Sequence, residues 1–204
     1  MSSRHAAGLD LDAFLPPPSP LAGTQGVADD GRVIAELMDK HRTVSSILAG
    51  RLSNMQVVRG FWQRQDTRGA VAAVKRCGDQ AVAVDVLGSM IASRAVLSLD
   101  VFLEWMPVLE GLLGSQHAKY SGTAIDALIM FLRSFGGLVK ETLQATPPPG
   151  IDLKFEERRD KCISVKIGLM KLRPLIERHR DGSSRDLSRK AFDLYSDMTG
   201  ICGM

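Results

Sequence analysis

From Val33 to the C-terminal region, the apolar residues of this chain recur every three or four positions, and no alternating Val/Ile/Thr/Tyr run replaces that pattern. Side chains at that spacing share one face of an α-helix, whereas a strand sends neighbours to opposite faces. The pattern therefore restricts the chain to an all-α fold. Composition agrees, because aromatic residues make up only 5% and the usual strand signature is missing. With 45% apolar residues in 204 positions, one ordinary domain core is within reach.

Glycine, proline and capping residues divide the pattern. Val33, Leu37, Val44, Ile47, Leu48 and Leu52 predict a long first helix. Ser53 offers an N-cap for a second helix through Met55, Val58, Phe61 and Trp62. A short third helix spans Arg68 to Arg76, and Gly78-Asp79 ends it and caps a fourth built on Val82, Val86, Leu87 and Met90. Asp100 caps a fifth, carrying Phe102, Leu103, Trp105, Met106 and Leu109, with a kink at Pro107, which lacks a backbone donor. A sixth helix, from His117 to Leu143, carries Ala124, Leu128, Phe131, Leu132 and Phe135, with a bend at Gly136-Gly137. Thr146-Pro147-Pro148-Pro149-Gly150 breaks the chain. Asp152 then caps a long basic helix to Arg180, kinked near Pro174. Ser184 caps the last, built on Leu187, Ala191, Leu194 and Met198. Consecutive antiparallel helices on short turns imply a HEAT/armadillo-like α-solenoid or an irregular bundle.

The domain division follows from the same reading. Residues 1–30 are expected to be a flexible Pro/Gly-rich linker, because Pro16-Pro17-Pro18-Ser19-Pro20 cannot lie in a helix and Gly23, Gly26 and Gly31 loosen the chain. The island Gly8-Leu9-Asp10-Leu11-Asp12-Ala13-Phe14-Leu15-Pro16 mixes acidic and apolar residues. It is read as part of a disordered tail, with docking elsewhere as the alternative. Residues 31–204 form the helical domain.

Several function classes lack their chemistry. There is no G-x-x-x-x-G-K-[ST], no G-x-G-x-x-G, no H-E-x-x-H and no G-x-S-x-G. Cys77, Cys162 and Cys202 are odd in number and far apart, against a disulfide framework or zinc site and in keeping with a reducing compartment. The histidines, His5, His41, His117 and His179, have no partners at ligand spacing, so no metal and no cofactor is expected. His41 falls on the stripe of the first helix and reads as a core or rim residue. Cys162 reads as a small apolar residue. No uninterrupted apolar run approaches the ~20 residues that span a bilayer. The reading is of a non-enzyme.

Charge and aromatics point to partners. The net charge is +3, but residues 1–30 carry Arg4 against Asp10, Asp12, Asp29 and Asp30, which leaves +6 on the rest. A basic face of Arg158, Arg159, Lys161, Lys166, Lys171, Arg173, Arg178 and Arg180 suits an acidic partner, or is a solvated surface balanced by Glu156, Glu157, Asp160 and Glu177. In Asn54–Asp66, Phe61 and Trp62 are flanked by Arg59 and Arg64. One of the two rings is expected in the core and the other at an interface. Tyr120, with small neighbours, either lines a groove for a short peptide or packs at a helix start.

The motifs then resemble a known family. Val58-Arg59-Gly60-Phe61-Trp62 with Asp66 and Gly69-Ala70-Val71 is similar to the second and third helices of the C-terminal domain of katanin's regulatory subunit. Leu99-Asp100 with Met106-Pro107-Val108-Leu109-Glu110-Gly111-Leu112-Leu113 resembles its central helix. Pro147-Pro148-Pro149-Gly150-Ile151-Asp152, Glu156-Glu157-Arg158 and Lys161-Cys162 resemble its proline turn and basic helix, and Gly8–Pro16 resembles a segment that often precedes the domain. The likeness covers about residues 30–198. That subunit begins with a propeller of WD repeats, which this chain lacks, so the chain is expected to be a fragment, a chain split from its propeller, or a shorter relative.

The resemblance implies a non-catalytic scaffold that heterodimerises with the N-terminal helical domain of the katanin ATPase subunit. It implies targeting of severing through microtubules (tubulin) and through spindle-pole, minus-end or axonemal adaptors, in the cytoplasm, at the centrosome, basal body or axoneme. It assigns Arg59, Phe61, Trp62, Arg64 and Tyr120 to the ATPase subunit or an adaptor, and the basic face to microtubules. A basic helical module for nucleic acid or anionic membrane is the alternative. Neither is expected as a partner, since helix-turn-helix and aromatic-basic interleaving are missing.

Overall fold

The computed structural model describes residues 30–93, 98–146, 150, 152–182 and 185–202. Seven helices lie among the described residues: α1 (Asp30–Gln63), α2 (Thr67–Cys77), α3 (Gln80–Ser93), α4 (Leu99–Leu113), α5 (Ala118–Gln144), α6 (Leu153–Arg180) and α7 (Arg185–Cys202). The all-α expectation holds. The linker expected over residues 1–30, apart from Asp30, the Pro147-Pro148-Pro149 turn and the Ser184 cap lie outside the described residues.

Each helix packs on the next and on the next but one. Thus α2, α4 and α6 make one row, α3, α5 and α7 a second, and α1 closes one end against α2 and α3. α5 sits at the centre, packed against α3, α4, α6 and α7. Phe102 of α4 stacks on Phe131 of α5 with ring centroids 4.4 Å apart and planes 16° from parallel. Trp105, Leu109, Leu128 and Leu169 close around them without solvent exposure. By length and composition α5 is apolar enough to cross a bilayer, which a search for unbroken apolar runs does not show. Lys119, Asp126, Arg133 and Lys140 interrupt the run without lowering its mean hydropathy much. Its four packed neighbours account for that apolarity.

Two expected boundaries are corrected. The chain does not break at Ser53, and α1 runs unbroken for 34 residues. Val44, Leu48, Leu52, Met55 and Trp62 stay in phase across Ser53, so one helix serves both segments. The turn comes later, where Gln65 adopts φ 58° and the Asp66 carboxylate accepts from Gly69 N at 2.7 Å, capping α2. A Cβ on Gly69 would lie 2.5 Å from Phe61 Cδ1 and closer still to Asp66 Oδ2, so only glycine lets this corner close. The second correction concerns α4, which is capped by Ser98, whose hydroxyl accepts from Val101 N at 3.3 Å. Asp100 lies within its first turn and instead meets Lys161 of α6 at 3.2 Å.

Other expected features stand as read. Gly78 ends α2 at φ 65°, and Asp79 Oδ1 accepts from Ala81 N at 2.8 Å at the start of α3. Asp152 caps α6 by accepting from Lys154 N and Phe155 N, both at 3.1 Å. Pro107, Pro174 and Gly136-Gly137, where kinks and a bend are expected from the sequence, lie inside the continuous helices α4, α6 and α5. His179 Nε2, near the end of α6, donates to the Leu113 carbonyl at 2.8 Å and fastens that end to α4.

Two classes of substitution should separate cleanly in urea unfolding. Phe131→Ala removes half of a fully buried stack and should cost about 3–5 kcal/mol. Asp66→Ala removes one cap and should cost about 1 kcal/mol.

Candidate partner-binding surface

α1 is far longer than the surface it packs on. At about 1.5 Å per residue it extends some 50 Å. Only its last third, from Arg51, contributes substantially to the body of the domain. Arg51 Nε meets Asp79 Oδ2 at 3.0 Å, Val58 is buried, and Met55, Phe61 and Trp62 pack on the core. Between residues 31 and 50, only Lys40 and Val44 are even half-buried.

The uncovered part is apolar along one side. Val33, Ile34, Leu37, Met38, Ile47, Leu48 and Leu52 are 37–61% exposed, and their spacing places them in one continuous stripe. The stripe runs into a groove of about 350 Å³ between α1 and α3, lined by Leu52, Met55, Val58, Arg59 and Trp62 with Val86 and Ser89. Completing burial of seven such side chains is worth roughly 5–10 kcal/mol as an upper bound. Monomeric proteins rarely leave a contiguous apolar surface of this kind open. A single helix projecting from its domain is also marginal in water without tertiary packing.

The residues singled out for partner binding separate into three groups. Arg59 and Trp62 line the groove. Phe61 and Arg64 build the α1–α2 corner: the Arg64 guanidinium lies 5.0 Å from the Phe61 ring centroid, and its Nε donates to the Gly60 carbonyl at 3.0 Å. Tyr120 is only 4% exposed, its ring packed beside His117 with centroids 5.0 Å apart. Burial raises its phenol pKa, Arg51 opposes that, and Asp79 and Asp85 add to it. The ring therefore packs at the start of α5 and lines no open groove in this chain.

The eight α6 cations assigned to the basic face do not form one face. Lys161 turns to α4 and pairs with Asp100 and with Glu157, at 3.2 and 2.8 Å, and hydrogen bonds to these two carboxylates, Glu157 foremost, raise its pKa. Arg173 and Arg180 turn to α7. Each guanidinium lies over the Tyr195 ring, at 5.0 and 5.2 Å, and Arg173 Nη2 also donates to the Tyr195 hydroxyl. Arg158, Lys171 and Arg178 are exposed, and Arg159 and Lys166 half-exposed. Cys162 is buried, and burial raises its thiol pKa against the pull of Thr142 and Arg158, as suits an apolar packing residue. His41, read as a core or rim residue, is exposed beside Ser45, because the stripe it lies on has no cover in this chain. No group of three metal-ligating side chains occurs among the described residues.

Sequence reasoning missed two features. It found the stripe of α1 as the mark of a long helix but not that it is uncovered, since periodicity shows that a face is apolar and not what covers it. It also missed Ile163, Ile167 and Met170, 39–49% exposed on the solvent side of α6, because the abundant cations of that helix drew attention from them.

Comparison with known proteins adds a family. The profile of the con80 domain of katanin matches residues 39–198. The Arabidopsis thaliana protein named katanin p80 WD40 repeat-containing subunit B1 homolog KTN80.2 is 36% identical over 172 residues, covering 83% of this chain and 14% of that protein. The katanin p80 WD40 repeat-containing subunit B1 of Xenopus tropicalis is 29% identical over 178 residues, or 87% of this chain and 27% of that protein. The protein of the same name from Gallus gallus is 30% identical over 155 residues, or 76% and 23%. The chain thus spans between 14% and 27% of the length of these relatives.

Hydrogen exchange on the isolated chain should divide α1. Amides of residues 31–50 should exchange at least ~100-fold faster than those of residues 55–63, since few tertiary contacts hold them. Uniform protection along α1 would contradict the uncovered-helix description.

Proposed function

The chain belongs to the con80 domain family of katanin, and on that premise we propose that it is a scaffold that heterodimerises with the N-terminal helical domain of the katanin ATPase subunit. As a domain of the p80 regulatory family it is non-catalytic. The single observation that carries the heterodimer is the apolar stripe of α1 leading into the Trp62 groove. A helical partner laid along α1 would bury the stripe, with Trp62 as a ring anchored in a pocket and Arg59 at its edge.

The same scaffold targets severing to microtubules. Arg158, Arg159, Lys166, Lys171 and Arg178 keep their charges toward solvent, where they attract the acidic surface of tubulin through a field that salt screens. This excludes Lys161, Arg173 and Arg180, which are engaged within the fold. Adaptors at spindle poles, minus ends or axonemes then meet the assembled dimer, placing the chain on the cytoskeleton.

Co-purification with the ATPase subunit's N-terminal domain is the direct test. The two should elute together at micromolar concentration, and separate elution would overturn the proposal. Leu37→Asp combined with Leu48→Asp should weaken binding at least ~10-fold. Both positions are exposed, so the unfolding transition should barely move.

Microtubule co-pelleting should fall steeply between low and physiological salt, as exposed charge contacts require. It should also fall with Lys171→Glu plus Arg178→Glu. Loss of pelleting only when DNA of equal charge is present would favour nucleic acid instead.

A further inference from the structure

We propose that the acidic-apolar segment Gly8–Pro16 of this same chain docks in the α1–α3 groove and competes there with the partner of the stripe. The competition rests on the heterodimer reading above, whereas the docking rests on the groove alone. Leu9-Asp10-Leu11-Asp12 alternates apolar and acidic residues, so an extended backbone would present Leu9 and Leu11 on one side and both carboxylates on the other. Phe14 and Leu15 add two large apolar groups. The groove offers the complement: Leu52, Met55, Val58 and Trp62 as an apolar floor, and Arg59, without an ion-pair partner among the described residues, as the cation.

Charge and reach both favour this segment. Residues 1–29 carry Arg4 against Asp10, Asp12 and Asp29, a net negative stretch next to a net positive domain. Leu52, at the mouth of the groove, lies 22 residues into α1, about 33 Å from its start. Phe14 lies sixteen positions before Asp30, a stretch that extends to roughly 50 Å when drawn out, with a root-mean-square span of about 20–24 Å if flexible. The segment can therefore fold back along α1 and reach the groove. A tether of this length gives a local concentration on the order of millimolar, so even weak intrinsic docking is substantially populated.

The two tryptophans make the docking readable. Trp105 is fully buried, so acrylamide quenching of the full chain reports on Trp62 in the groove. Leu9→Asp, Leu11→Asp and Phe14→Asp together should raise the quenching slope about two-fold or more, equally at protein concentrations ten-fold apart, as expected for a tethered occupant. The substitutions lie outside the seven described helices, so the far-UV circular dichroism those helices give should be unchanged. An unchanged slope would overturn the docking. Protection that grows with protein concentration would mean that a second copy fills the groove, and would overturn it too.

Affinity for the ATPase subunit's N-terminal domain should rise about three-fold in the same variant, because the competing state is removed. Equal affinity despite altered quenching would overturn the competition. If neither chain binds that domain, the heterodimer reading falls while the quenching result stands by itself.

Discussion

α5 is the constraint on which the rest of the architecture depends. It is 27 residues long, and its apolar face, including Ala124, Ile125, Leu128, Phe131 and Val139, must be covered in water. Four helices supply that cover, and the Phe102–Phe131 stack fixes α4 against it. Because each helix reaches the next and the next but one, covering α5 also sets the two rows of the array. The ion pairs between helices, such as Lys161–Asp100 and Lys190–Asp126, are about one-third exposed. They select register more than they add stability.

An array of this kind has ends, and its ends are where faces go uncovered. α5 packs against four helices, whereas among the described residues α1 packs mainly on α2 and α3, and mainly along its last third. Its stripe is the face onto which a further helix would pack. Among the described residues the con80 domain is thus an open stack whose first helix continues beyond its own neighbours.

Much of this was legible in the sequence. The helices beginning at Thr67, Gln80, Leu99, Ala118 and Leu153 fall close to their predicted places, because Asp66, Gly78-Asp79 and Asp152 act locally through their own caps. Ser53 misled for the converse reason. A serine caps a helix only where the chain already leaves it, and here the packing of Met55, Val58 and Trp62 holds the helix straight through. The basic helix was found as a composition, but whether each cation reached solvent depended on Tyr195 and Asp100, far away in sequence. The small residues after Tyr120 left open whether it lines a groove or packs at a helix start, and the structure buries it near Arg51 and Asp79. The Asn54–Asp66 stretch, finally, divides into a corner and a groove: Phe61 closes the turn over Gly69, and Trp62 faces the opening.

The central claim is that the ATPase subunit completes the stack at α1 and at no other exposed apolar face. Site-specific photo-crosslinkers at Leu37 and Leu48 of α1, at Ile167 of α6 and at Phe192 of α7 test it most directly, since all four side chains are exposed. Crosslinks to the ATPase subunit's N-terminal domain should form from Leu37 and Leu48 and not from Ile167 or Phe192. Crosslinks from Ile167 or Phe192, with none from α1, would contradict the account.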